Sequence, residues 1–186
     1  MEPTITLSES GDGLKFVREA IGTLSNAKVY VGIPEAETTR KDGPITNAAL
    51  LFIHTNGSEV MHIPKRPVIE PAIEAEDNKE LITETLGKAA DAELDGNTLA
   101  MQRYLKVAGQ QGSNAAKRWF VDPRNGWPRN KRRTILRKIS KLKGKKYKDA
   151  LNVLNEAGET GDVSSIDTTL VDSAQMRRAI TYVTEV

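Results

Sequence analysis

The residues of this chain with the most chemical potential are two histidines, a run of carboxylates and a block of lysines and arginines. His54 and His62 stand eight residues apart, with Glu59 between them and Asn56 nearby, which are the donor types of a metal site. Their spacing fits neither a helical i, i+4 pair nor a recognised zinc motif, so both are read as structural histidines and no metal is expected. From residue 70 to residue 95 there are nine acidic residues against two basic ones, Lys79 and Lys88. Within that run Glu80 and Glu84 share a helix face, the placement that general acid–base catalysis by paired carboxylates requires. On a helix charged along its length such a pair is ordinarily the solvated side, and that is the reading adopted.

No Gly-x-Ser-x-Gly elbow, Gly-x-x-x-x-Gly-Lys-Ser/Thr loop or Gly-x-Gly-x-x-Gly fingerprint occurs, and Gly11-Asp12-Gly13 reads as a turn. The absence of cysteine excludes disulfides and thiolate metal sites. No catalytic residue, cofactor or enzymatic activity is therefore expected. The basic block is the segment with a ligand in prospect. Residues 131–148 hold ten basic residues and no acidic one, a density suited to phosphates through counterion release. Arg132, Arg133, Arg137, Lys138 and Lys141 are the candidate contacts, either to nucleic acid or to an acidic neighbouring protein. Trp127 and Tyr147 are too few to make a platform for stacked bases.

The elements that must carry these residues follow from composition and period. The chain has 186 residues, a formal net charge of +2, 38% hydrophobic, 28% charged and 5% aromatic residues. These values fit one globular domain with a mainly aliphatic core, burying roughly 70% of the surface its unfolded chain exposes. No apolar stretch reaches the ~20 residues of a membrane span, and the first residues lack the pattern of a signal peptide, so a cytoplasmic setting without a membrane partner is expected.

Residues 4–7 alternate like a short strand, and Leu14, Val17, Ile21 and Leu24 recur at helical spacing. Lys28-Val29-Tyr30-Val31-Gly32-Ile33 predicts a buried strand. Thr46 is placed to cap a short apolar helix that Asn56-Gly57 ends, and residues 60–63 suggest another strand. Three prolines between residues 63 and 71 predict a stiff, extended connector. Beyond Pro71, Ile82, Leu86, Ala90 and Leu94 mark one long helix. Met101, Leu105, Ala108, Gly112, Ala115 and Trp119 mark a second, whose small central residues predict close approach of another backbone. Residues 122–130 form a Pro/Gly-rich loop. The basic block is helical with Ile135, Ile139 and Leu142 on one side, is interrupted at Gly144, and is followed by a short helix through Tyr147, Ala150, Leu151 and Leu154. At the end of the chain Asp172 or Ser173 caps a turn, with Gln175 as capping-box partner, before a two-residue period begins at Ile180.

Four of these segments, taken in order, resemble the neck and tail-completion proteins of long-tailed bacteriophages, which include head–tail joining and virion morphogenesis proteins. They are Val29-Gly32-Ile33-Pro34 with its strand; residues 48–54 with Asn56-Gly57; Ile63-Pro64-Lys65-Arg66-Pro67 with Pro71; and residues 170–182. The loop Asn125-Gly126-Trp127-Pro128 is a fifth, weaker match. Ala174 and Ala179 stand where that family usually has Gly and commonly Ser, and residues 131–165 exceed its usual connection.

The resemblance implies an α+β fold over residues 1–186, a small, mostly antiparallel sheet packed against several helices, with residues 129–168 as a basic helical insertion. It further implies a structural virion protein forming a homo-oligomeric, hexameric ring as tail terminator or neck protein. Assembly would take place in the bacterial host's cytoplasm, with a head-side connector, tail tube proteins and genomic DNA in the lumen as partners. Arg66, Trp127, Arg177 and Arg178 are then the expected contacts between subunits or with neighbouring components. The alternative function is nucleic-acid binding through residues 131–148.

Overall fold

The computed structural model describes residues 11–34, 45–170 and 174–186. In chain order they form α1 (Gly11–Asn26), β1 (Lys28–Gly32), α2 (Asn47–Asn56), α3 (Ile69–Glu74), α4 (Glu76–Leu94), α5 (Thr98–Trp119), a 3₁₀ turn (Pro123–Asn125), α6 (Arg132–Ile139), α7 (Lys145–Ala157), α8 (Gln175–Ala179) and β2 (Thr181–Glu185). The two strands pair antiparallel and the helices pack around them, giving an α+β fold. The expected strand at 4–7 and the cap at Asp172 or Ser173 lie outside the described residues.

The centre is α5. Asn97 opens it by accepting the Ala100 N–H at 3.0 Å, which satisfies one of the four donors that a helix start leaves free. All six residues of its anticipated stripe are buried, from Met101 to Trp119. The small residues act as foreseen. A Cβ added at Gly109 would strike the Tyr182 ring, and one at Gly112 would lie 2.9 Å from a Val31 methyl. The sheet can therefore approach α5 more closely than two side-chain layers would permit.

β1 and β2 run in register from Lys28 opposite Glu185 to Gly32 opposite Thr181. Alternation turns Val31 and Tyr182 toward α5 and leaves Tyr30 and Val183 paired on the other face. Those two side chains are 48% and 45% exposed. The strand expected to be buried is thus covered on one face alone, because the sheet holds a single strand pair with no second layer over it among the described residues.

Beyond Pro71 the expected single helix is broken. α3 begins before Pro71, which lies in its first turn where a missing N–H costs nothing, and α4 starts anew after Ala75. Asn78 joins the three helices at the break: its Nδ2–H donates to the Ala72 carbonyl at 2.8 Å and its Oδ1 accepts from Arg118 at 3.1 Å. The buried face of α4 is Asn78, Thr85, Ala89 and Glu93, while Leu86 and Leu94 of the expected stripe are 39% and 42% exposed. Small side chains on α4 meet the core-facing side of α5, so the helix is rotated away from the line its leucines define.

α1 is displaced from expectation in the same sense. Ala20 is buried, Leu24 packs beside Ala89, Met101 and Leu105, and Leu14, Val17 and Ile21 face outward. α2 begins and ends as predicted, with the Ala49 N–H donating to Thr46 Oγ1 at 3.1 Å and Gly57 at φ 73°. Residues 60–63 form no strand. A lone bridge joins Ser58 to Ile63, and the intervening turn, with His62 at φ 52°, exposes Val60 and Met61. α6 and α7 enclose a separate apolar cluster of Ile135, Ile139, Ala150, Leu154 and Val163, whereas Leu142, expected on that seam, is 41% exposed.

Glycine substitutions separate these environments. Gly109→Ala should lower stability by about 1–3 kcal/mol, because overpacking against Tyr182 outweighs the better helix propensity of Ala. Gly87→Ala, at an exposed α4 position with nothing within 4 Å, should raise it by about 0.5–1 kcal/mol. Urea unfolding of the two variants measures the contrast.

Candidate interaction surfaces

The proline-rich connector is held by side chains from a distant loop. A proline run offers carbonyls but few N–H groups, so its oxygens need donors from elsewhere. Trp127 supplies one: its Nε1–H donates to the Pro67 carbonyl at 3.1 Å, and its ring meets Phe120 edge-on at 5.8 Å between centroids. Arg66 answers in the other direction. Its backbone N–H donates to the His54 carbonyl at 2.6 Å, and its guanidinium donates to the Pro128 carbonyl at 2.8 Å while only 5% exposed. Burial holds the Arg66 pKa below the usual arginine value, opposed by the charge of Asp167. Both residues expected at a subunit contact are thus engaged inside the chain, Arg66 as a buried cation and Trp127 as the pin of its own loop.

A second buried polar cluster joins the basic segment to this loop. Asp167 is 8% exposed and accepts from Asn130 Nδ2 at 2.8 Å and from Lys138 Nζ at 2.6 Å. Lys138 also donates to the Thr168 carbonyl at 2.7 Å. Arg129 reaches the carbonyls of Gly161 and Gly158, and Arg132 those of Leu154 and the Asn155 side chain. Arg132 and Lys138, two of the anticipated ligand contacts, therefore hold the segment together. Arg133, Arg137 and Lys141 remain exposed.

At the C-terminal motif the two adjacent arginines diverge. Arg177 Nε–H donates to the Lys117 carbonyl at 2.7 Å, one of the last carbonyls of α5 that have no partner within the helix. Asn125 Nδ2–H serves the Trp119 carbonyl in the same way at 3.1 Å. Arg178 is exposed and, of the four expected contacts, is the one lying on the surface. Ala174, preceding α8, adopts φ 58° and ψ 11°, the left-handed conformation in which glycine is favoured.

Arg124 closes the N-terminal end of α4. It donates to Asp77 at 2.8 Å and to Asp122 at 2.8 Å, and lies 5.7 Å from the centre of the Trp119 ring. Its guanidinium holds both carboxyls below the usual carboxylate range. Of the acidic pair, Glu84 bonds Lys88 at 2.7 Å and Glu80 is exposed; His62 lies in the exposed turn, and His54 in α2. Among the described residues no group of three His, Asp or Glu side chains could hold a metal, and no helix is long and apolar enough to cross a membrane. A cleft lined mainly by apolar side chains, Ile33, Ala48, Leu51, Phe52 and Ile69, also includes Thr55 and Glu70; sequence periodicity held no sign of it, because its walls come from separate parts of the chain.

Three variants test these arrangements. Asp167→Ala should cost about 3 kcal/mol, since it strands the Lys138 ammonium in a largely buried setting, and adding Lys138→Met should restore much of the loss; thermal unfolding of the single and double variants measures both. Ala174→Gly should raise stability by about 0.5–1 kcal/mol by relieving the left-handed strain, less the entropy glycine adds to the unfolded chain.

Comparison of the chain with protein-family models, with curated proteins and with solved structures finds no match.

Proposed function

We propose that this protein is a structural subunit of a tailed bacteriophage, assembling into a homo-oligomeric ring at the junction of head and tail. The observation that carries the reading is the isolated strand pair. A two-stranded sheet is marginal alone, and each outer edge offers a row of backbone donors and acceptors. Among the described residues nothing pairs with either edge, and the Tyr30–Val183 face is open as well. Leu14, Val17 and Ile21 add an apolar helix face exposed by 73%, 42% and 54%. Surfaces of this kind suit repeated association with further copies of the same chain.

The geometry of such association is simple. If the free edge of β1 in one copy adds to that of β2 in the next, the interface is heterologous, and it closes into a ring when the rotation per subunit divides the circle. The order of the four sequence segments supplies the phage context, and the hexameric count, tail-terminator role and head-side and tail-tube partners belong to the same reading. No chemical step is required of such a subunit.

Mass photometry of the purified protein should show one discrete ring-sized species, and Tyr30→Lys with Val183→Lys should convert it to monomer with its helical circular dichroism unchanged. A phage lacking the gene should accumulate unjoined heads and tails. Wild-type protein that stays monomeric, or normal infectious particles without the gene, would overturn the reading.

A further inference from the structure

We propose that the α6–α7 segment binds the phosphate backbone of duplex DNA through Arg133, Arg137, Lys143, Lys145, Lys146 and Lys148. The fold sorts eight of the ten cations of residues 131–148 into two sets. Arg132 is bonded to Leu154 and Asn155 and Lys138 to Asp167, and they fix the shape of the segment. The six named are exposed, and none of their side chains makes a hydrogen bond or ion pair with another described residue. No acidic residue interrupts them.

Helix geometry aims four of them, Arg133, Arg137, Lys145 and Lys148, outward. On α6, Ile135 and Ile139 are buried, and at about 100° per residue Arg133 and Arg137 fall on the opposite side, one turn apart. On α7, Ala150 and Leu154 are buried, and Lys145 and Lys148 lie opposite them by the same count. The shared core of Ile135, Ile139, Ala150 and Leu154 holds both helices, so their charges are carried by a packed helix pair rather than by a loose tail.

Charge density decides what anion this helix pair suits. The acidic helix α4 of another copy is the protein alternative. Yet Glu84 and Asp77 are already paired and Glu93 is buried, which leaves Glu76, Glu80 and Asp91 along a helix of roughly 28 Å. Duplex DNA carries a charge every ~1.7 Å, on the order of sixteen over the same length. Six cations without a partner among the described residues match the duplex far better. Tyr147 is the segment's one aromatic side chain, so there is no stacking surface for single strands, and a contact to phosphates alone is indifferent to base sequence.

The test is fluorescence anisotropy of the full-length protein with two labelled 20-base-pair duplexes of unrelated sequence, over a salt series. Both should bind equally, with log K falling against log salt at a slope of about −5, and Arg133→Gln/Arg137→Gln should make the slope shallower by about 2 and weaken binding at least tenfold at ~0.1 M salt. Lys145→Gln/Lys148→Gln should act alike, and Glu80→Gln/Asp91→Asn should leave binding unweakened. No duplex binding at ~0.1 M salt, or binding that neither basic double variant weakens, would overturn the proposal. So would basic variants that lose self-association while duplex affinity is unchanged, which would assign the helix pair to a protein contact. The inference does not rest on the ring reading: particle mass tests that one, and the salt slope tests this one.

Discussion

The fold depends on how near a two-stranded sheet can come to one helix. β1 and β2 have no third strand among the described residues, so packing on α5 must provide the stability their few hydrogen bonds cannot. Gly109 and Gly112 make that packing possible by leaving space that the Tyr182 ring and Val31 fill. The cost is borne by the helix, which carries two glycines in its interior, and it is offset by burial along the same stripe from Met101 to Trp119. Everything else is arranged around this contact: α4 and α3 cover other sides of α5, and α8 places β2.

Polar groups link the remaining parts, and most of the links end on backbone carbonyls that no helix or sheet ladder satisfies. Arg177 and Asn125 serve carbonyls at the end of α5, and Trp127 serves a proline carbonyl. Arg66 and Asp167 lie at the junction between the connector, the Trp127 loop and the basic segment, where apolar packing alone would not fix one arrangement. The buried arginine and aspartate of a chain rich in surface charge are thus both hydrogen-bonded to groups from distant segments.

Local signals in the sequence read well and relations between distant parts did not. The α5 stripe was legible because period and residue size agreed, and the Thr46 and Gly57 ends of α2 because caps are decided within a few residues. For α1, periodicity correctly grouped Leu14, Val17 and Ile21 on one face, but it carries no information on whether anything covers that face. On α4 the leucines marked the apolar line, whereas burial followed the shape of α5 and selected Thr85 and Ala89. Arg66, Arg132 and Lys138 looked like surface charges because their partners, Pro128, Leu154 and Asp167, lie far along the chain.

The pairing of β1 with β2 joins residue 28 to residue 185, and this has a consequence for the newly made chain. During synthesis at roughly 5–20 residues per second, β1 leaves the ribosome many seconds before its partner exists. Throughout that interval Val29, Tyr30 and Val31 form an unpaired, apolar, β-prone segment, while α4 and α5 can fold from local contacts. β2 is therefore the strand that ends the exposure, so the speed at which a nascent chain reaches residues 181–185 sets how long β1 stays uncovered.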